Sequence, residues 1–168
     1  MDRDSIKFIE EVEDSVISLM EDEVCRDQHV AQVVPGLYIA DYKGTEQCAK
    51  LGVVVVVSCT EQPAPKLPPY VRNLHLKYFD DDSFDVHSAA TDTIKWLLPY
   101  MEQGAPVMIH CNAGVSRSAT LVMACLLYQH PDWTIEQAFR KVQQARAIAC
   151  PDHSHLRKLV TWRNSLSK

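Results

Sequence analysis

The sequence predicts an α/β domain built on a central, mostly parallel β-sheet of about five strands that is flanked by helices. Residues 53–57 are five consecutive valines, and such a run of β-branched residues is typical of a strand buried on both faces of a parallel sheet. Residues 106–109 form a second short apolar run, which is followed by a polar loop and then by the apolar, helix-like segment 119–127. Apolar strands joined to helical segments in this way indicate a layered α/β fold.

The first element is predicted from the spacing of apolar residues. Ile9, Val12, Val16, Met20 and Val24 recur every three or four residues, which predicts an amphipathic helix from about Asp4 to Val24. The opposite face of this helix is densely acidic.

Turn residues and periodicity predict the other elements in chain order. Pro99 lies inside the helix predicted over 86–102 and is expected either to kink that helix or to end it early. The remaining predicted elements are a strand at 37–39, a short helix at 44–51, a strand at 74–78, a helix that starts at a capping box of Thr134 and Gln137, and a last helix that starts at Pro151-Asp152.

Length and composition restrict the class of protein. The chain has 168 residues, which suits one domain with a sizeable core. Its six cysteines are irregularly spaced and include no Cys-x-x-Cys pair, which argues against a zinc site and against a secreted disulfide framework. No apolar run is long enough to span a membrane, and the acidic N-terminus does not resemble a signal peptide. We therefore expect free thiols, a cytoplasmic and/or nuclear location and no membrane partner.

The stretch from His110 to Ser118 has the layout of an anion-binding site. It lies between a predicted strand and a predicted helix, where free backbone N–H groups and the positive end of the helix dipole point at one spot. Cys111 at the mouth of this loop is expected to be a thiolate near neutral pH, because the dipole and a nearby guanidinium favour the charged sulfur. Arg117 can present a planar fork to the same anion, and Gly114 allows a close backbone approach. A nucleophilic thiolate, a cradle of backbone N–H groups and a guanidinium at one spot together indicate phosphoryl transfer.

The same residues resemble the signature of the cysteine-based protein tyrosine phosphatases, His-Cys-x-x-Gly-x-x-Arg-Ser/Thr. The version in this chain, Cys-Asn-Ala-Gly-Val-Ser-Arg-Ser-Ala-Thr from Cys111 onward, is similar to that of the small, atypical dual-specificity branch. The resemblance extends over roughly residues 32–165, although Ala147 and Asp152 stand where the family often has proline and asparagine.

The resemblance implies a role for each signature residue. Cys111 is the nucleophile, Arg117 binds the phosphate oxygens, and Ser118 stabilises the departing thiolate or caps the helix start. His110 orients the loop and adjusts the reactivity of the Cys111 sulfur. The phosphate-binding residues are Asn112, Ala113, Gly114, Val115, Ser116 and Arg117.

A general acid is expected on the loop that follows the strand at 74–78. Phosphate-ester cleavage needs a proton for the leaving oxygen, and the same group can later accept a proton from water. Alignment of Phe84-Asp85-Val86 with the start of the family's next helix favours Asp80, while Asp81 and Asp82 stay open as alternatives. Asp85 is expected to cap the following helix.

Cys59 follows the valine strand directly and is therefore predicted to lie near Cys111, since sites in α/β sheets form beyond the carboxyl ends of strands. Two interpretations stay open for it. It is either a small buried thiol or the partner of a reversible disulfide that protects the nucleophile.

Charge divides the chain into two parts. Residues 1–30 hold ten Asp or Glu and three Lys or Arg, whereas the rest of the chain holds twelve and fourteen. We therefore predict an acidic amphipathic N-terminal helix at 1–30 and a slightly basic phosphatase catalytic domain at 31–168, without the basic stripe that nucleic-acid binding requires. The helix either packs on the domain or docks a partner or a second copy of the chain.

The resemblance implies a protein phosphatase that hydrolyses phosphotyrosine and phosphoserine or phosphothreonine through a cysteinyl-phosphate, with no cofactor and no metal. The loop lacks the lysines that phosphoinositide-hydrolysing relatives carry there, which counts against a lipid substrate. The alternative function is a non-catalytic module that binds phosphoproteins, and it applies if none of the three aspartates reaches the pocket.

Overall fold

The structure is a computed structural model that describes residues 2–166. Five strands form one sheet in the order β1-β2-β5-β3-β4, and only the pair β1–β2 is antiparallel. The predicted mostly parallel α/β fold is thus confirmed. The strands are β1 Val30–Val34, β2 Leu37–Ala40, β3 Val55–Cys59, β4 Arg72–Leu76 and β5 Val107–His110. The helices are α1 Asp2–Met20, α2 Glu23–Asp27, a 3₁₀ helix Lys43–Gln47, α3 Cys48–Leu51, α4 Val86–Glu102, α5 Arg117–Gln129, α6 Ile135–Ala145 and α7 His153–Ser165.

The central strands are covered on both faces. All residues of β3 and β5 are buried, which the run of valines predicted for β3. Val55 and Val57 belong to the larger core cluster on one face, whereas Val56 belongs to a smaller cluster on the other face, as the two-residue period of a strand requires. Helix α5 is buried from Arg117 to Leu127 and forms the middle of the larger core.

Strand register brings two chain segments to the same edge of the sheet. β3 and β5 run parallel, and Ser58 pairs with His110. The segments at and after the ends of these strands, 59–61 and 111–117, therefore emerge side by side at the carboxyl edge, where ligand sites of open α/β sheets form.

The first helix is shorter than its apolar spacing predicted. Helix α1 ends at Met20, and α2 begins separately because the Asp22 carboxylate accepts the N–H groups of Val24 and Cys25. Ile9 and Val16 are buried, whereas Val24, predicted on the apolar face, is 80% exposed. The prediction of a continuous helix to Val24 was wrong, because an acidic cap interrupts the periodic pattern.

The other helix boundaries agree with the local sequence signals. Asp85, Thr134 and Asp152 each cap a helix through a side-chain oxygen, and Thr134 forms the predicted capping box with Gln137. Helix α4 continues through Pro99 to Glu102, so of the two alternatives for Pro99 the structure excludes an early end of the helix. Of the helices in residues 2–166, none is both long enough and apolar enough to cross a membrane.

Candidate active site

The loop of residues 111–117, called the signature loop below, joins β5 to α5 at the carboxyl edge of the sheet. Cys111 is buried at its start, and its Sγ accepts the backbone N–H of Gly114 at 3.2 Å. The hydroxyl of Ser118, in the first turn of α5, lies 3.2 Å from the same sulfur. Two donors and a helix N-terminus therefore face the sulfur, which suits an anionic nucleophile.

Gly114 meets two separate demands at the centre of the signature loop. Its φ of +66° lies in the left-handed region that residues with a Cβ rarely adopt. A Cβ there would also lie 2.8 Å from the backbone nitrogen of Asp41 and 2.9 Å from the carbonyl oxygen of Ala40. The loop can pack this closely against the end of β2 only with glycine.

Arg146 holds the back of the signature loop. Its side chain is 1% exposed, its Nη2 donates to the carbonyl of Ala113 at 3.0 Å, and its Nε donates to that of Gly114 at 2.8 Å. Its Nη1 also donates to the carbonyl of Gln28, so the arginine ties the loop to the end of α2. Burial lowers the pKa of Arg146, and the nearby carboxylate of Asp41 opposes that shift.

The remaining loop carbonyls also bond outward. The carbonyl of Asn112 accepts the N–H of Tyr42 at 3.0 Å, and that of Val115 accepts the N–H of Cys150 at 2.8 Å. The carbonyl of Ser116 accepts the N–H and hydroxyl of Thr120. Because each peptide plane carries its N–H opposite its carbonyl, the loop amides turn inward and form a cradle for an oxyanion.

Arg117 is anchored by one end of its guanidinium. Its Nη1 donates to Glu61 Oε2 at 2.5 Å and to the carbonyl of Tyr78 at 2.6 Å. Its Nε is buried and has no hydrogen-bond partner within residues 2–166. Buried donors in proteins are rarely left unpaired, so the edge of Nε and Nη2 is available to bind two oxygens of a phosphate.

Glu61 is a site residue that sequence reasoning missed. Besides Arg117, it accepts the Asn112 side-chain N–H at 2.7 Å, and the Asn112 carbonyl oxygen Oδ1 in turn accepts the Thr60 hydroxyl. The hydrogen bond from Arg117 is the main cause of a lowered pKa at Glu61. Burial disfavours the charge of Arg117, but the hydrogen bond to Glu61 and the charges of Cys111 and Asp80 raise the pKa of the guanidinium.

His110 supports the loop through a chain of hydrogen bonds. Its Nδ1 lies 3.1 Å from the carbonyl of Cys111, and its Nε2 lies 2.6 Å from Ser58 Oγ. Since a carbonyl only accepts, Nδ1–H donates to it and Nε2 accepts from the hydroxyl, which in turn accepts the Asn73 amide at 2.8 Å. Burial lowers the pKa of His110 to about 4, so this neutral form persists at physiological pH.

The three candidate acids stand in different environments. The carboxylate of Asp80 bonds to His155 Nε2 at 2.7 Å, and the hydroxyl of Ser116 in the signature loop is near enough to lower the pKa of this carboxyl, so it lies at the rim of the cradle. The carboxylate of Asp81 instead accepts the backbone N–H of Ser83 at 2.8 Å and the Ser83 hydroxyl. Asp82 contributes its backbone carbonyl to Lys158.

Cys59 is fully buried at the end of β3, beside the signature loop. Burial raises the pKa of its thiol well above the ordinary value, and the neighbouring Cys111 raises it further. Both cysteines are free thiols. This environment favours the interpretation of Cys59 as a small buried thiol.

Two supporting residues, Glu61 and His155, belong to no motif that the sequence analysis identified. One usable signal was Thr60-Glu61 directly after a buried parallel strand, since polar residues at that position face the site edge. Nothing in the sequence indicated that Arg146 donates hydrogen bonds to the loop carbonyls. Within the described part of the chain, no group of three or more His, Cys, Asp or Glu is placed to hold a metal ion.

Comparisons with known proteins identify the family of this chain. The family model of the dual specificity phosphatase catalytic domain matches residues 37–165. Dual specificity protein phosphatase 26 of Rattus norvegicus is 33% identical over 143 residues, which are 79% of this chain and 66% of that protein. A protein phosphatase Slingshot homolog of Xenopus laevis is 27% identical over 139 residues, which are 81% of this chain. The chain spans only 20% of the length of that homolog.

Comparison with solved structures also identifies dual specificity phosphatases. The crystal structure of human DUSP28 matches with a TM-score of 0.75 and 26% identity, covering 83% of this chain and 95% of the other. The fold and the loop geometry thus define a cysteine-based phosphatase domain. More narrowly, the chain belongs to the dual specificity phosphatase family, and the prediction of a small, atypical member is confirmed.

Proposed function

We propose that this protein hydrolyses phosphotyrosine and phosphoserine or phosphothreonine in proteins through a cysteinyl-phosphate intermediate. The observation that carries this proposal is the convergence on one spot of the Cys111 sulfur, the inward-turned loop amides and the free edge of Arg117. Catalysis of this type depends on donors fixed in place before charge develops on the phosphoryl oxygens.

In the first step, the Cys111 thiolate forms a bond to phosphorus while the bond to the leaving oxygen breaks. The amides of residues 112–117 and the guanidinium of Arg117 hold the equatorial oxygens. Asp80, protonated at that moment, transfers its proton to the leaving alcohol or phenol. We choose Asp80 over Asp81 because Ser116 and Arg117 of the signature loop lie near enough to the Asp80 carboxyl to lower its pKa, whereas the carboxylate of Asp81 accepts hydrogen bonds from Ser83.

In the second step, the Asp80 carboxylate accepts a proton from water as the water oxygen attacks phosphorus. The sulfur–phosphorus bond breaks, and the electron pair returns to Cys111. The hydroxyl of Ser118, 3.2 Å from the sulfur, donates to the thiolate as it departs. His110 acts only through the loop, because its two nitrogens bond to Ser58 and to the Cys111 carbonyl.

The surface around the cradle supports a protein substrate. An open depression of about 380 Å³, lined by Tyr42, Gln62 and Asn112, adjoins the signature loop. The loop itself contains no lysine that would pair with the extra phosphates of a phosphoinositide. We propose phosphoproteins as the substrates, without nucleic-acid or membrane partners, in a cytoplasmic and/or nuclear location.

We further propose that residues 31–168 are the catalytic unit and that helix α1, in the acidic segment of residues 1–30, offers a surface to a partner or to a second copy. The acidic residues Glu11 and Asp14 are exposed on α1. Deleting residues 1–28 tests this: loss of a partner with retained activity supports the proposal. Loss of activity assigns the helix to the catalytic unit instead.

The decisive experiment is hydrolysis of p-nitrophenyl phosphate by the wild type, Cys111→Ser and Asp80→Ala, across pH, with a reductant and without added metal. We expect no activity in Cys111→Ser, and in Asp80→Ala a lower rate that no longer falls at high pH. A wild type that binds phosphopeptide but hydrolyses nothing would replace this proposal with a non-catalytic phosphoprotein-binding module.

A further inference from the structure

Two side chains of helix α7 form hydrogen bonds to the loop that carries Asp80. His155 Nε2 bonds to Asp80 Oδ1 at 2.7 Å. One turn later, the ammonium of Lys158 donates to the backbone carbonyl of Asp82 and, at 2.9 Å, to that of Phe84. Two side chains of one helix therefore fix both the carboxyl group and the backbone of the loop over 79–85, called the acid loop below.

The imidazole of His155 is held in one orientation. The side chain is fully buried, and its ring meets the ring of Phe84 edge-on, with centroids 4.8 Å apart and planes at 90°. Its Nδ1 lies 3.4 Å from the hydroxyl of Ser154. If Nδ1 accepts from that hydroxyl, Nε2 carries the proton and donates to Asp80.

Several charged groups face the Asp80 carboxyl. The hydrogen bond from His155 is the largest cause of its lowered pKa, which burial opposes and the charge of Arg117 at the start of α5 supports. The nearby hydroxyl of Ser116 also lowers the pKa of Asp80. The carboxylate of Asp81, on the same loop, lies close enough to interact with Asp80.

We propose that His155 is a positioning residue for the general acid: its Nε2–H holds Oδ1 of Asp80 so that Oδ2 faces the leaving oxygen. The same N–H can be donated in both steps. When Asp80 is protonated on Oδ2, Oδ1 is a carbonyl-type acceptor, and after proton transfer Oδ1 is a carboxylate oxygen. This inference deepens the proposed function, because it rests on Asp80 as the acid.

The proposal predicts a dependence on the leaving group. A phenol that leaves poorly needs a proton from a well-placed acid, whereas an acidic phenol leaves with little help. Loss of the Nε2 donor therefore slows the poor leaving group selectively. It also removes a bond that favours the ionised carboxyl, so the pKa of Asp80 rises and the fall of activity at high pH moves to higher pH.

The test compares His155→Phe and His155→Gln, with phenyl phosphate and p-nitrophenyl phosphate as substrates. For His155→Phe, we expect kcat/KM to fall about tenfold with phenyl phosphate and less than about twofold with p-nitrophenyl phosphate. The amide nitrogen of Gln reaches the position of Nε2, so His155→Gln should restore much of the rate. His153→Gln, a half-exposed histidine two positions earlier on the same helix, is the matched control and should match the wild type.

A double-mutant cycle distinguishes the positioning role of His155 from the role of Asp80 as the general acid. In an Asp80→Asn background, His155→Phe should cause no further loss, because the carboxyl that it positions is gone. If Asp80→Asn is impaired but His155→Phe is not, His155 has no positioning role and the proposed function stands. If Asp80→Asn has the same activity as the wild type, Asp80 is not the general acid. Both the proposed role of Asp80 and the positioning role of His155 then fail. An equal loss with both substrates, together with a lower Tm, would assign His155 a structural role only.

Discussion

Gly114 and Gly52 allow a comparison at the scale of the residue, since both have positive φ, +66° and +71°. A Cβ at Gly114 would collide with the backbone at 2.8 Å, whereas a Cβ at Gly52 meets nothing within 4 Å. We expect Gly114→Ala to abolish aryl phosphatase activity, because the loop must move away from β2. Gly52→Ala should keep full activity and lose only about 1 kcal/mol of stability in urea unfolding. Equal activity in the two variants would contradict this account.

Arg146 gives a second prediction at this scale. Arg146→Met leaves the carbonyls of Ala113 and Gly114 buried without a donor, which should cost about 3 kcal/mol of unfolding free energy and lower kcat/KM at least tenfold. Arg140→Met is the control, since its side chain is 54% exposed. Urea unfolding and p-nitrophenyl phosphate hydrolysis measure both effects. Retained activity in Arg146→Met would show that the loop keeps its shape without this support.

At the residue scale, the sequence indicated the proposed reacting groups and one supporting residue, His110, but not the supports Glu61 and His155. Cys111, Gly114 and Arg117 lie within seven residues, so one motif contains them. Glu61 and His155 lie 56 and 75 positions from their partners Arg117 and Asp80, and only the folded topology brings them together. No spacing rule connects residues at such separations.

At the scale of the element, α1 is attached to the domain by one buried stripe. Ile9 is fully buried, and the Phe8 ring packs edge-on against Phe139 of α6 with centroids 6.3 Å apart. Ile9→Ala should therefore cost about 3 kcal/mol of unfolding free energy. Ile17→Ala removes the same atoms from a side chain that is 54% exposed and should change stability by less than about 0.5 kcal/mol. Urea midpoints that shift equally in the two variants would mean that α1 does not stabilise the domain through Ile9.

Element boundaries show where sequence patterns are informative. The helix predicted over 86–102 coincides with α4, because Asp85 caps its start. The valine strand was placed at 53–57, whereas β3 runs from Val55 to Cys59, since pairing with β5 and not composition sets its register. The strand therefore ends closer to the site than the valines alone indicated.

At the scale of the whole molecule, His110 makes stability depend on pH. Its folded pKa of about 4 lies below the unfolded value of 6.5, so the unfolded chain binds a proton first as the pH falls. Stability is complete above pH 6.5 and should decrease by about 3 kcal/mol between pH 6.5 and 4. Urea unfolding at pH 7.5, 6, 5 and 4 measures this slope.

A matched pair of variants isolates this contribution. His110→Asn keeps a donor near the Cys111 carbonyl but cannot titrate, so its stability should vary less between pH 6.5 and 4 than that of the wild type. His87→Gln, at an exposed position in the first turn of α4, should keep the wild-type slope. An unchanged slope in His110→Asn would assign the pH dependence to other groups.

The outward bonding of the signature loop has a consequence for heat inactivation. Its carbonyls accept hydrogen bonds from three other segments. The donors are Tyr42 after β2, Arg146 and Cys150 in the connector before α7, and Thr120 in α5. Local fraying of the loop would have to break bonds to all of these segments at once, which makes its opening part of global unfolding. On slow warming, aryl phosphatase activity and the near-ultraviolet circular dichroism signal should disappear in one transition with the same midpoint.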